Sequence, residues 1–183
     1  VSGTDNSGNI LQTEPSGAAD QFRDVRFLAS ADCQFCEPGT QDCDMETWND
    51  VAFMTNRLLG DKVESGAFHG AILAGDLTQS ETFQQRDLYL QSILGKELHL
   101  YEGLVNHDRD STFDLIRPIV RNRKRTSIRT NRGPSNHPHY SWDWHDVHFV
   151  QLNVVPANNS ESFQALTYLQ SDLALNVGDS GRP

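Results

Sequence analysis

Apolar residues in this chain come in short runs divided by polar ones, and their spacing changes along its length. Residues 25–30 (VRFLAS), 68–74 (FHGAILA) and 98–104 are compact apolar runs of strand length. Between them the spacing is helical. Met45, Trp48, Ala52, Leu58 and Leu59, with Val51 and Phe53 alongside, predict a helix over 45–59 that Gly60 would end. Ser80 or Glu81 opens a second helix running to about Leu94, closed by Gly95. A third is expected over 112–125, with Pro118 forcing a kink or a restart. Then the period drops to two. Tyr140, Trp142 and Trp144 alternate with Ser141 and Asp143, and Val147, Phe149 and Gln151 alternate with His148, Val150 and Leu152. Two strands joined by a tight turn at His145-Asp146 follow from that pattern. Phe163, Leu166, Leu169 and Leu173 predict a last helix over 162–177.

The resulting order is strand, helix, strand, helix, strand, helix, hairpin, helix, with no internal repeat. Such alternation predicts an α/β layered domain whose central strands are covered on both faces. Residues 1–22, rich in Gly, Ser, Asn and Asp, read as a disordered leader or linker, and 23–183 as one domain. No apolar run approaches the ~20 residues of a membrane span.

Charge narrows the classes of partner. A formal net charge of −10 argues against general affinity for nucleic acid. Seven of the fifteen basic residues nevertheless lie together: Arg117, Arg121, Arg123, Lys124, Arg125, Arg129 and Arg132. They read as a solvated helix end and loop, or as a rim attracting an anionic substrate. Cys33, Cys36 and Cys43 are an odd count, which fits no closed disulfide framework, and Cys33-x-x-Cys36 lacks the second pair a structural zinc site needs. One bridge, with Cys36–Cys43 a candidate, would suit an oxidising compartment, and the reading leans towards a secreted or periplasmic setting. Asn158-Asn159-Ser160 matches a glycosylation pattern.

Candidate chemistry lies where the first three strands stop. Asp32-Cys33-Gln34 follows the first, Gly75-Asp76 the second and Asn106-His107-Asp108 the third. Open α/β sheets bind ligands beyond the carboxyl ends of their strands. Each piece alone also reads as a polar turn or helix cap. Together they offer hard oxygen donors and an imidazole to one edge, a set suited to divalent metals.

On Asp32-Cys33-Gln34, Gly75-Asp76-Leu77-Thr78, Val105-Asn106-His107-Asp108 and the hairpin Tyr140–Asn153, residues 25–183 resemble the calcineurin-like metallophosphoesterase superfamily. The resemblance implies a β-sandwich flanked by helices. It also implies two divalent metal ions (Mn, Fe, Zn or similar), with Asp32 and Gln34 on the first, Asp76 bridging and Asn106 on the second. His107 would be the catalytic residue near the phosphate, and a metal-activated hydroxide would attack a phosphomonoester or phosphodiester. The chain departs from the family pattern in three ways. Gln34 stands where the family usually has His, and Val105 where it usually has Gly. The later histidine motifs are absent, so by this resemblance the domain reads as incomplete at its C-terminus. The alternative reading is a degenerate phosphoesterase-like scaffold without catalysis. His137, His139, His145 and His148 read as polar edge or turn histidines rather than replacement ligands.

Overall fold

Three parallel strands, each a short apolar run, define the central sheet: β3 (Phe27–Ser30), β4 (Gly70–Leu73) and β5 (Leu100–Glu102), with β4 in the middle. Phe27 pairs with Gly70, and Ala71 with Leu100. The computed structural model describes residues 3–4, 10–11, 24–39, 43, 46–95, 100–108, 114–122, 128–129, 139–154 and 159–183. Within these, β1 (Gly3–Thr4) pairs antiparallel with β2 (Ile10–Leu11). A second antiparallel sheet holds β6 (Ile128–Arg129), β7 (Tyr140–Trp144) and β8 (Val147–Gln151). The helices are α1 (Glu46–Glu64), α2 (Phe83–Ser92), α3 (Arg117–Asn122) and α4 (Asn159–Asn176). The fold is thus mixed α/β.

Alternation along the strands divides two cores. Ala71, Leu73 and Leu100 face one way and pack with Ala52, Val63, Tyr89 and Ile93 of α1, α2 and the residue that follows α2. Ile72 and Tyr101 face the other way and meet Tyr140, Trp142, Trp144 and Phe149 of the antiparallel sheet. The aromatic layer is tightly stacked: Tyr101 on Trp142 with centroids 4.4 Å apart, and Trp142 on Phe149 at 5.4 Å. The period-two pattern of β7 therefore marks one aromatic face against the parallel sheet and one polar face behind it.

That polar face changes how α4 docks. The expected apolar stripe is not what α4 buries: Phe163 is 71% exposed and Leu166 50%, while Ala165, Tyr168 and Asp172 point inward. Behind β7 and β8 stand Ser141, Asp143 and His148, so the helix meets them with a carboxylate. Ser141 Oγ donates to Asp172 Oδ1 at 2.7 Å, and His148 lies between Asp172 Oδ2 (2.6 Å) and Asp143 Oδ1 (2.7 Å).

A similar correction applies to α1. Its buried face runs through Asn49, Ala52, Asn56 and Val63, while Trp48, Val51, Met54 and Leu58 are exposed. Asn49 is fixed by the Cys36 backbone, accepting from N at 2.9 Å and donating to O at 2.8 Å, and Asn56 donates to Ser92 Oγ at 2.9 Å. The helix also runs through Gly60. Burial of Val63 rewards another turn, and the stop falls at Gly66, whose φ of +77° only glycine adopts freely.

Smaller differences have local causes. Thr82 caps α2, its Oγ1 accepting from Gln85 N at 3.3 Å, so the helix begins slightly later than expected. Pro118 sits in the first turn of α3, where its missing N–H costs nothing, so it marks a start rather than a kink. Cys36 and Cys43 form a disulfide, and Cys33 is a buried free thiol. Met45, Leu98, Thr112, Arg123, Lys124, Arg125, Arg132, His137 and Asn158, the side chain of Arg129 and most of residues 1–22 lie outside the described residues.

Candidate functional site

Beyond β3 and β4 the two segments stay paired, with an isolated parallel bridge between Phe35 and Thr78. Asp32 N donates to Gly75 O (3.2 Å), Gln34 N to Asp76 O (2.7 Å), Phe35 N to Leu77 O (3.1 Å) and Gln79 N to Phe35 O (2.9 Å). Three residues in this stretch adopt positive φ without being glycine: Asp32 (53°), Gln34 (34°) and Asp76 (50°). Left-handed backbone costs such residues roughly 1 kcal/mol or more each and gathers at functional sites. The two carboxylates are borne on this paired, strained ribbon.

Asp76 is the centre of the group. Its carboxyl is half-buried and pushed above the usual carboxylate range. Desolvation is the main cause; hydrogen bonding from the His107 backbone and the His107 charge oppose it, and the adjacent Asp32 carboxyl adds to the rise. Two neighbouring carboxyls repel one another when both are ionised, a repulsion that a cation between them relieves.

The third segment closes on Asp76 from the end of β5. Asn106–Asp108 form a single tight helical turn, and His107 N donates to Asp76 Oδ1 at 3.2 Å. The ring of His107 is oriented as well: Nδ1 lies 2.8 Å from Gln79 O. A carbonyl only accepts, so Nδ1 carries a proton in this contact, and Nε2 is the ring nitrogen not engaged by Gln79.

Asp108, adjacent to these, does different work. Fully buried, it accepts from Leu77 N (2.8 Å) and Thr78 N (3.1 Å) through Oδ1 and from Val105 N (3.3 Å) through Oδ2. Burial pushes its pKa up to about 7, with backbone hydrogen bonds from Thr78, Val105 and Leu77 pulling down and Asp76 pushing up. Asp108 thus clasps the β4 exit loop to the β5 exit turn. Asn153 supports the same turn from behind, its Oδ1 accepting from Leu104 N at 2.8 Å.

Val105 fits without disturbing this arrangement. Its φ is not positive, and its side chain occupies the space a side chain at Gly75 would need. The glycine that permits close approach therefore sits on the β4 loop, opposite Val105.

Of the five residues singled out from sequence, the structure groups Asp32, Asp76 and His107 through side-chain or backbone contacts. Gln34, half-buried, joins through its N–H to Asp76 O, and Asn106, half-buried, through its place at the head of the turn. Two carboxylates and two carboxamides at one edge fit an oxygen-donor site for a hard divalent cation. Among the described residues no three His, Cys, Asp or Glu side chains converge at one point. The sequence reading did not single out Gln79, which orients His107, or Asn153. Both act through contacts 28 and 49 residues distant, which no local pattern carries.

No protein-family model matches the chain, and no curated protein matches it significantly.

Proposed function

We propose that this edge is the catalytic site of a metal-dependent phosphoesterase of calcineurin-like type, hydrolysing a phosphomonoester or a phosphodiester. The observation that carries the reading is the position of Asp76, with the Asp32 carboxyl beside it and the His107 N–H on its Oδ1. Asp32, Gln34, Asp76 and Asn106 would hold the divalent ion or ions. A bound metal supplies neutralisation of phosphoryl charge and a more acidic water.

The remaining work falls to the chain's own groups. Asp76, fixed by the His107 amide, sets where positive charge is held. With a proton on each ring nitrogen, His107 would donate Nδ1–H to Gln79 O and Nε2–H to the leaving-group oxygen. Asp108 and Gly75 keep the two loops at the spacing this requires. The layered packing of the two sheets and their covering helices suits the calcineurin-like architecture, and the Cys36–Cys43 bridge suits an oxidising, secreted or periplasmic setting.

A second reading, a phosphate-binding scaffold without catalysis, is favoured by the donor inventory. Carboxamides stand at 34 and 106, and Asp32 and Asp76 are the two carboxylates at the edge. Metal analysis with hydrolysis of bis(4-nitrophenyl) phosphate and 4-nitrophenyl phosphate separates the two. The enzyme reading expects metal-dependent turnover of one ester, lost in Asp76→Asn and reduced about 10²–10⁴-fold in His107→Ala. Full activity in Asp76→Asn would refute the role given to that carboxylate. Metal binding with no turnover of either ester would leave the scaffold.

A further inference from the structure

At the opposite end of β4 from Asp76, two imidazoles from different sheets meet. His69 immediately precedes β4, and His145 opens the turn between β7 and β8 with φ 54°. Their Nε2 atoms are 2.8 Å apart, and the rings meet edge to face with centroids 4.8 Å apart. The two residues are 76 positions apart in sequence, and the contact is open to solvent. The strained turn at His145 aims its ring at the parallel sheet, whereas His148 points into the α4 interface between Asp143 and Asp172.

We propose that His69 and His145 form a divalent-metal site separate from the carboxylate edge, taking an ion of the nickel(II) or copper(II) class and joining the parallel sheet to the hairpin. Three observations support it. First, two nitrogens bound at ~2.0–2.1 Å in adjacent square-planar or octahedral positions lie about 2.9 Å apart, against about 3.4 Å in a tetrahedron. The 2.8 Å separation matches the former geometry with little movement.

Second, the backbone of Arg26 provides the support that metal-bound histidines usually have behind them. Nδ1 of His69 is 3.1 Å from Arg26 O and 3.2 Å from Arg26 N. With its proton on Nδ1 the ring donates to that carbonyl and turns the Nε2 lone pair towards His145. With the proton on Nε2, the Arg26 N–H serves Nδ1 instead, so the ring changes tautomer without losing its anchor. Third, the ligand-free contact costs little to replace. One imidazole donates to the other, and an ion exchanges that one bond for two coordinate bonds, leaving its other positions to water. Trp144, with its ring centroid 6.1 Å from that of His69, covers the inner side of the pair.

Calorimetric titration of the metal-stripped chain with nickel(II) chloride tests the site in four proteins: the unaltered chain, His69→Gln, His145→Gln, and Asp32→Asn combined with Asp76→Asn. One nickel-binding event is expected that persists in the double aspartate variant and weakens at least tenfold in each histidine variant. Copper(II) quenching of tryptophan fluorescence should weaken in the same two variants, because Trp144 adjoins the pair. Binding that is unchanged in either histidine variant, or lost with the aspartates and kept without the histidines, overturns the proposal. If His69→Gln alters the far-ultraviolet dichroism, His145→Gln, on an exposed turn, carries the test by itself.

Discussion

Val105 lies against Gly75: a Cβ built on Gly75 would stand 2.8 Å from Val105 Cγ2 and 3.2 Å from Cγ1. Gly75 also has φ +117°, a conformation other residues rarely adopt. Gly75→Ala should therefore destabilise the chain by roughly 2–4 kcal/mol, combining backbone strain with overpacking. Val105→Ala in the same chain should recover only the overpacking part. Urea midpoints of the two single variants and the double give the coupling, and strict additivity would show that the two side chains do not meet.

Asp108 predicts a pH dependence of stability. Its carboxyl titrates near 3.8 in the unfolded chain and at about 7 in the fold. Between those values the folded state binds more protons than the unfolded one, so this group's contribution is full below about pH 4 and is lost as pH rises through 7. Unfolding free energy measured in EDTA should carry a falling limb across that window. Asp108→Asn should flatten it, and an unchanged limb would assign it to another group.

His148 has a carboxylate on each ring nitrogen, an arrangement that the doubly protonated ring satisfies by donating to both. Truncation would leave Asp172, fully buried, without that partner. His148→Ala should cost about 3–5 kcal/mol. Loosening should be greatest where α4 meets β7 and β8, which hydrogen exchange on Tyr140–Trp144 and the α4 amides would detect. A cost below about 1 kcal/mol would mean that the pair of contacts contributes little.

The cysteines make a separate prediction. Cys33 is buried and its pKa is pushed up to about 12, chiefly by desolvation. A thiol reagent should find no reactive cysteine in the native, oxidised chain and one after denaturation. Replacing Cys36 and Cys43 by serine opens a loop of sequence separation 7 and should cost about 2.5 kcal/mol. Mass spectrometry of labelled protein and thermal melts check the two halves.

Where local pattern decides structure, the sequence was readable. The three apolar runs, the helices between them and the alternating hairpin all appear, because period and run length are properties of neighbouring residues. The convergence of Asp32, Asp76 and His107 followed from strand-end position alone. Helix faces were less readable. Trp48, Val51, Met54 and Leu58 of α1 and Phe163 and Leu166 of α4 point outward, while Asn49, Asn56 and Asp172 find partners on other segments. Gly60 has the local signature of a helix stop, and nothing near it in sequence says that Val63 will be buried and carry the helix on. The contact between His69 and His145 is of the same kind, created only when two sheets stack.

The ladder running past β3 and β4 has a consequence for how this edge can vary. Each of its bonds joins a specific pair, such as Gln34 N to Asp76 O and Phe35 N to Leu77 O. Deleting or inserting one residue between Ser30 and Gln34 would slide the whole ladder by a step. Asp32 would then stand against a different neighbour while every apolar residue on β3 kept its place. Substitutions on the two loops can alter chemistry one group at a time, but a change in their length alters the whole edge together.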